Sequence, residues 1–252
     1  MDGGEDDLTA ASVVYDGQDA PALTRRLGAA GVVLLETTGS TLDVAHELGA
    51  KGARGGTLVL ADEQTAGRGR LGRRWMSPRG AGIWLTMLLR PHAAPLGGAL
   101  AVRAGLAAVL ALESVDRKLA PRLKWPNDVI VQGRKAGGIL CEARWSGDVL
   151  GWVAVGIGIN VRGPFPDGAG VPIALDEVVP GLGRLAVLEE LVPRLKALET
   201  MGSALEPDER VRFTKVASPL GAAGEQIVDL TPDGALLVRR ADGSLDRRTE
   251  AA

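Results

Sequence analysis

Four short strand-like segments in the middle of the chain constrain its fold more than any other feature of the sequence. They lie at 122–125, 129–132, 139–143 and 151–159, and turns that contain proline or glycine separate them. Short apolar runs bounded by glycine or proline are typical of strands. Connections this short favour antiparallel neighbours, because parallel neighbours need a crossover of a dozen or more residues. The sequence therefore predicts a largely antiparallel sheet.

Helices are predicted on either side of these strands. Residues 97–119 have small and apolar side chains at helical spacing, and residues 184–201 form an amphipathic pattern with Pro193 inside it. Further strands are predicted at 32–35, 57–61 and 83–89. Because the strands and helices do not alternate regularly, we predict an α+β fold with a mixed, largely antiparallel sheet.

Changes in composition along the chain predict three parts. Residues 1–30 form an N-terminal extension that is partly disordered, with its polar and acidic first twenty residues frayed. Residues 31–215 form the main domain, and residues 216–252 a small β domain of about three strands joined by Pro-Asp-Gly and Asp-Gly turns. Three short strands are too few for independent stability, so this part must lean on the main domain.

The overall composition argues against several classes of protein. A net charge of −2 does not favour binding to nucleic acid over the whole surface. The single cysteine, Cys141, cannot form an internal disulfide, and two histidines argue against a multi-histidine metal site or a histidine-based triad. The sequence has no signal peptide and no apolar stretch of the ~20 residues that span a bilayer. We therefore expect a cytoplasmic protein with no membrane segment.

The first segment with chemical potential is the Gly/Arg loop, residues 67–74, which reads Gly-Arg-Gly-Arg-Leu-Gly-Arg-Arg. Glycine gives a flexible backbone with free N–H groups, and guanidinium groups bind phosphates and carboxylates in a forked geometry. The loop therefore suits a lid over an anionic ligand. A solvated basic loop or a weak RNA contact explains the same pattern, although Trp75 is a single nearby aromatic residue for base stacking.

The second segment is Lys-Trp-Pro-Asn-Asp at 124–128. Pro126 has a fixed φ angle and requires an extended residue before it, so Lys124 and Asp128 are held in set directions. A lysine and a carboxylate at the end of a strand suit anionic phosphates together with Mg²⁺. The alternative is a turn with a surface ion pair, which contributes ~0–1 kcal/mol.

Two further segments combine glycine with a polar side chain. In residues 133–140, Lys135 precedes Gly137 and Gly138, where a ligand can approach the backbone closely. In residues 156–160, glycines end a predicted strand that leads to Asn160. An ordinary glycine hairpin with an exposed lysine, and tight packing within a sheet, remain the alternatives for these two segments.

Taken together, the order and spacing of these segments resemble the biotin protein ligases. The resemblance depends on GRGRLGR, KWPND, RKAGGIL and GIGIN in that order, after a Gly-Ser-Thr, and it runs from about residue 33 to 161. It implies a catalytic domain like that of class II aminoacyl-tRNA synthetases. It also implies that biotin is activated with ATP and Mg²⁺ as biotinyl-5′-AMP and transferred to a lysine of a biotin carboxyl carrier protein.

The same resemblance implies a set of site residues. The implied catalytic residues are Lys135, Arg70 and Lys124. Those implied to bind biotin are Ser40, Thr41, Gln64, Arg68, Gly69, Arg70, Lys135, Gly137 and Gly138. Those implied to bind ATP or the adenylate are Arg70, Lys124, Asn127, Asp128 and Asn160, with Asp128 also assigned to Mg²⁺. Because a carboxylate of pKa ~4–5 is ionised at neutral pH, such a reaction needs cations more than a histidine base.

The sequence departs from the pattern of this family at three places. Leu42 stands where the family commonly has asparagine after Ser-Thr. Residues 171–173 read Val-Pro-Ile where the family often closes on adenine with a tryptophan. The C-terminal domain is about a dozen residues, or two strands, shorter than the usual small barrel.

Other functions fit parts of the sequence. A lipoate or octanoate ligase shares the architecture and the adenylate chemistry but usually lacks the dense Gly/Arg loop. A non-catalytic RNA-binding module would use the arginines of residues 68–79. A biotin-responsive repressor would need a winged helix, which the roughly thirty residues before residue 32 cannot hold. We therefore expect the monofunctional form with no DNA binding, and the oligomeric state stays open.

Overall fold

A computed structural model describes residues 13–95, 97–165, 171–220 and 223–249 of the protein. The helices are α1 (Ala20–Leu27), α2 (Thr41–Ala50), α3 (Ala99–Val115), α4 (Arg184–Ala197) and α5 (Pro207–Val216). The strands are β1 (Gly31–Thr38), β2 (Thr57–Gln64), β3 (Gly82–Leu89), β4 (Arg122–Lys124), β5 (Asp128–Val131), β6 (Arg134–Ser146), β7 (Val149–Asn160), β8 (Gln226–Leu230), β9 (Leu236–Arg239) and β10 (Leu245–Arg248).

Seven of these strands form one sheet in the order β1-β2-β3-β7-β6-β5-β4. Strands β1 and β2 are parallel, with α2 as their crossover connection, and every other neighbouring pair in this sheet is antiparallel. The predicted α+β class with a mixed, largely antiparallel sheet is therefore confirmed.

The two faces of the large sheet are covered differently. Because side chains alternate along a strand, Leu58 and Leu60 of β2 enter the main core with α3 and α4, while Val59 faces the other side. On that second side Val59 meets Leu42 and Ala45 of α2. Helix α2 packs against β2, β3 and β7. On this side of the sheet, a cleft lies over part of β6 and over the loop that leads into β5.

The N-terminal segment is more ordered than the sequence predicts. Fraying over residues 1–20 is wrong from Tyr15 onward, since that side chain is 1% exposed and its hydroxyl donates to the Gly82 carbonyl at 3.3 Å. The Arg184 guanidinium lies 3.9 Å from the centre of the Tyr15 ring and pairs with Asp16 at 2.5 Å and Asp62 at 2.6 Å. A buried arginine with two carboxylate partners and an aromatic face fixes this segment. Residues 1–12, also predicted to be frayed, lie outside the described residues.

The C-terminal strands form an antiparallel sheet in the order β10-β9-β8, as predicted. This sheet leans on the large one, because Trp125 Nε1 donates to the Gly234 carbonyl at 2.9 Å and Leu236 and Val238 are buried in the main core. Helix α5, which the sequence analysis missed, packs its buried Phe213 beside β8. Within the described ranges, no helix has the length and apolar character required to cross a bilayer.

Candidate active site

A cleft of about 280 Å³ opens on the α2 side of the large sheet. Residues paired across neighbouring strands point to the same face, and the register places Lys124, Asp128, Gly138 and Gly158 in one row across β4, β5, β6 and β7. The two glycines leave the sheet surface low in the middle of this row. Lys124 and Asp128 therefore lie at one end of the row, beside a cleft floor formed by the backbone of Gly138 and Gly158.

The cleft brings together all the predicted site residues except Gly137. A Cβ atom on Gly137 would lie 2.8 Å from the Gly158 carbonyl oxygen, so tight packing within the sheet explains the glycine there. The expectation that Gly137 offers its backbone to a ligand is not supported by this placement. The predicted residues that line the cleft are Ser40, Thr41, Gln64, Arg68, Gly69, Arg70, Lys124, Asn127, Asp128, Lys135, Gly138 and Asn160.

One wall of the cleft is the polar N-terminus of α2. Ser40 is the N-cap residue, and both Ser40 and Thr41 are 2% exposed. The Thr41 hydroxyl lies 3.1 Å from Gln64 Oε1 and 2.8 Å from the Thr86 hydroxyl, and Gln64 Nε2 donates to Ser77 Oγ at 2.8 Å. Since each side chain is held by a neighbour, this wall is a preorganised set of polar groups.

The Gly/Arg loop crosses the cleft and is anchored on both sides. Arg68 pairs with Asp43 of α2 at 2.9 Å and with Glu142 of β6 at 3.1 Å. Arg70 Nη1 donates to Asn127 Oδ1 at 3.3 Å, and Asn127 lies in the Lys-Trp-Pro-Asn-Asp segment. The loop thus connects the polar wall of α2 to the strand end that presents the lysine and the carboxylate.

Trp75, which the sequence analysis did not select as a site residue, forms much of the cleft surface. A Cβ atom on Gly138 would lie 3.2 Å from its ring, and one on Gly158 only 2.3 Å from Trp75 Nε1. The Lys135 ammonium lies 5.3 Å from the ring centre, within cation–π range. No local sequence signal identifies Trp75, because the two glycines that make room for its ring are distant from it along the chain.

Two buried donors lack partners near the cleft. In the part of the chain that the structure describes, Trp75 Nε1 and Arg68 Nε are buried and have no hydrogen-bond partner. Buried donors without acceptors are rare in folded proteins and cost free energy, so each has a reason to be there. An oxygen atom of a ligand would supply the missing acceptor.

A sequence model described as the biotin/lipoate A/B protein ligase family matches residues 34–160, which is half of the chain. The chain belongs to this family. It is 33% identical over 194 residues to the biotin–[acetyl-CoA-carboxylase] ligase of Mycobacterium tuberculosis, which covers 71% of this chain and 70% of that protein. It is 42% identical over 141 residues to the bifunctional ligase/repressor BirA of Bacillus spizizenii, which covers 54% of this chain and 43% of that relative. The second match therefore spans less than half the length of that relative.

The fold gives the same result as the sequence comparison. A solved biotin protein ligase from Aquifex aeolicus, in complex with biotin and ATP, matches with a TM-score of 0.69 and 28% identity. The match covers 87% of this chain and 95% of that one. The resemblance to biotin protein ligases that the motifs predict is confirmed.

Two of the departures from the pattern of the biotin protein ligases have structural consequences. Leu42 is 3% exposed and packs in the small core between α2 and the sheet, where a Cβ atom on Gly156 would lie 3.1 Å from it. Val171 is 61% exposed, and its carbonyl accepts from the Lys135 N–H at 2.8 Å. Pro172 and Phe165 line the end of the cleft near Asn160. Pro172 and Phe165 therefore give this end of the cleft an apolar edge.

Metal ligation by the chain alone is not supported. Among the described residues, no group of three or more His, Cys, Asp or Glu side chains is placed to hold a metal ion. Asp128 is the carboxylate that lines the cleft among the predicted site residues, and it is paired with Lys135 at 2.7 Å. A cation at this place would need most of its ligands from substrate and water.

Proposed function

We propose that this chain is an ATP-dependent biotin protein ligase. In the first step it joins biotin to ATP as biotinyl-5′-AMP and releases pyrophosphate. In the second step the amine of a lysine on a biotin carboxyl carrier domain attacks the acyl carbon, an amide bond forms, and the acyl–phosphate bond breaks with release of AMP. The main support is that one cleft gathers the four predicted cationic side chains around a glycine-floored surface: Arg68, Arg70, Lys124 and Lys135. A relative of the same fold is described as a complex with biotin and ATP.

The charges of the cleft fit the difficulty of the first step. An oxygen of the biotin carboxylate attacks the α-phosphorus of ATP, a C–O–P linkage forms, and the bond to the pyrophosphate oxygen breaks. The two reactants are anions, and one pair of charges at ~4 Å and an effective dielectric of ~20 repels by about 4 kcal/mol. We assign Lys135 to the space between carboxylate and α-phosphate, where an ammonium offsets this repulsion.

The remaining residues of the cleft divide into two ends. We assign the polar wall of Ser40, Thr41 and Gln64 to the ring system of biotin, because its donors and acceptors are preorganised there. We assign Arg70 to retention of the adenylate beneath the Gly/Arg loop. The nucleotide end comprises Lys124, Asn127, Asp128 and Asn160.

Asp128 fits a role toward Mg²⁺ that depends on the nucleotide. Mg²⁺ is usually held by one or two carboxylates together with substrate phosphates and water, and Asp128 supplies one carboxylate at the cleft. When bound, the ion neutralises phosphate charge and so favours departure of pyrophosphate. The ion pair with Lys135 keeps the Asp128 side chain turned toward the place where we put the phosphates.

The test is mass spectrometry of a biotin carboxyl carrier domain incubated with this protein, ATP, Mg²⁺ and biotin. A mass increase on one lysine that requires biotin and ATP supports the proposal. Parallel pyrophosphate-exchange assays with biotin, lipoate and octanoate decide the acid, which matters because the family description includes lipoate ligases. Exchange with lipoate and none with biotin would reassign the substrate.

Binding of RNA is the competing function, and an RNA-binding assay tests it beside the adenylation assays. It would give salt-sensitive RNA binding that is lost when the Gly/Arg loop is neutralised, and no adenylate. The ion pairs of Arg68 with Asp43 and Glu142 argue against it, because they reduce the free positive charge of the loop. We expect no operator DNA binding.

A further inference from the structure

His46, on the face of α2 that meets β6 and β7, has both ring nitrogens engaged although it does not line the cleft. Trp152 Nε1 lies 3.1 Å from His46 Nδ1, and Glu142 Oε2 lies 2.9 Å from His46 Nε2. An indole N–H can only donate, so His46 Nδ1 accepts from it. The ring hydrogen of neutral His46 therefore sits on Nε2 and is donated to Glu142.

Glu142 connects this histidine to the Gly/Arg loop. Its Oε2 accepts from His46 and lies 3.4 Å from Arg68 Nη2 and 3.5 Å from Arg144 Nη2, while its Oε1 lies 3.1 Å from Arg68 Nη1. The Glu142 side chain is 21% exposed and that of Asp43, the other partner of Arg68, is 60% exposed. Because screening by water weakens exposed ion pairs, Glu142 holds Arg68 more firmly than Asp43 does.

Trp152, the residue of this series of contacts that is farthest from Arg68, is itself held in place by its neighbours. A Cβ atom on Gly49 would lie 2.6 Å from the Trp152 ring, so the ring fills the space beside the C-terminal end of α2. The Arg90 guanidinium lies 5.7 Å from the centre of the Trp152 ring and donates to the Gly49 carbonyl at 2.8 Å. Trp152 therefore presents a fixed N–H donor to His46 Nδ1, and this donor determines the tautomer of the histidine.

We propose that His46 is a positioning residue that acts through Glu142 to hold the Arg68 guanidinium at the mouth of the cleft. The backbone around Arg68 is fixed by hydrogen bonds of its two flanking glycines with Arg73 and Trp75, so the position of the long Arg68 side chain depends on its carboxylate partners. The hydrogen bond from His46 fixes Oε2 of Glu142 and so orients the carboxylate, which faces the two terminal nitrogens of Arg68 with both of its oxygens. The inference rests on the proposed function and adds to it a residue with no substrate contact.

The first experiment measures biotin affinity by calorimetry in the full-length protein. We expect His46→Leu to weaken biotin binding by about three- to tenfold, the net effect of losing one ordinary hydrogen bond. His46→Gln should restore most of the affinity, because its amide N–H can donate to Glu142 from the position of the histidine Nε2. The matched control is His92→Leu at the exposed second histidine, which should leave affinity and melting temperature unchanged.

A double-mutant cycle separates positioning from packing. In an Arg68→Met background, His46→Leu should cause no further loss of biotin affinity, because the residue through which His46 acts is gone. An equal fold-loss in both backgrounds would overturn the inference and leave His46 a packing residue. Unmodified protein that binds no biotin would instead overturn the proposed function, on which the inference rests.

A measurement that needs no substrate tests the contacts directly. Nitrogen-15 NMR of the two histidines reports which ring nitrogen bears hydrogen, and His92→Leu assigns the signals. We expect His46 to show hydrogen on Nε2, and Glu142→Gln to shift that signal. A hydrogen on Nδ1 of neutral His46 would overturn the inference even if all variants fold and bind biotin.

Discussion

Lys135 Nζ lies 2.7 Å from Asp128 Oδ1, a diagonal contact between β6 and β5, with both side chains about one-fifth exposed (21% and 23%). The pair is less screened than a surface ion pair, and the Trp75 ring stands on the other side of the ammonium at 5.3 Å. Lys135 is therefore held in place before any substrate enters. A cation placed in advance reduces the reorganisation that catalysis would otherwise need.

Replacing Lys135 by alanine should lower the rate of adenylate formation by ~10²-fold or more, as loss of one charge-stabilising donor does in other active sites. Biotin-dependent pyrophosphate exchange measures the effect. Lys118→Ala, at an exposed lysine outside the cleft, is the control and should retain the full rate. A Lys135→Ala rate within threefold of the parent would remove this lysine from the chemistry.

Arg70→Gly should shorten the retention of biotinyl-5′-AMP, because the side chain assigned to hold it beneath the Gly/Arg loop is removed. The released adenylate should label lysines of a bystander protein, detected by streptavidin blotting. Arg79→Gly is matched in chemistry and lies nearby, but Arg79 pairs with Glu63 at 3.2 Å outside the cleft. Equal adenylate lifetimes in Arg70→Gly and the parent would show that Arg70 has another role.

The sequence was most informative where a motif coincides with a strand end. The resemblance of the motifs assigned Lys124, Asp128 and Gly138 to one site, and the structure gives the reason: their segments are successive strands whose antiparallel register sets them side by side. The same reasoning could not decide which of two adjacent glycines faces the cleft. Gly137 and Gly138 point to opposite sides of β6, and that choice depends on a register that sequence alone leaves open.

Features that depend on contacts distant in sequence could not be predicted. Tyr15 is buried because Arg184, far along the chain, covers its ring, so an acidic segment that looks frayed is held down. Trp75 belongs to the cleft because Gly158 leaves space for it, and no local pattern relates the two. Helix α5 has little apolar periodicity of its own and depends on tertiary packing, as short helices commonly do.

Gly158→Ala should distort the cleft surface without unfolding the protein. The new Cβ atom would lie 2.3 Å from Trp75 Nε1, so the ring must leave its place over Gly138. Overpacking of this kind costs ~1–3 kcal/mol, and we expect biotin affinity to fall by ~10-fold with a shift in tryptophan fluorescence. Gly31→Ala in β1, where nothing lies within 4 Å of the new Cβ atom, should change neither. Unaltered affinity in Gly158→Ala would exclude Trp75 from the ligand surface.

Acid should weaken the packing of α5 on α3, because protonation of the Glu209 carboxylate of α5 removes its ion pair with Arg103 of α3. Burial favours a raised pKa for Glu209, but its hydrogen bonds with Arg103, which is 4% exposed, and with the Glu206 N–H outweigh burial and hold the pKa below the usual 4.5. A folded pKa below the unfolded one means that the stabilisation is complete above pH 4.5 and is lost as pH falls through the folded value. We therefore expect Glu209→Gln to lower the free energy of unfolding at pH 7 by ~3 kcal/mol, with a smaller further loss on acidification than the parent shows.

Denaturant titrations at several pH values measure both effects, and exposed Glu113→Gln should behave as the parent. An identical pH dependence in Glu209→Gln and the parent would mean that this ion pair does not contribute to acid sensitivity.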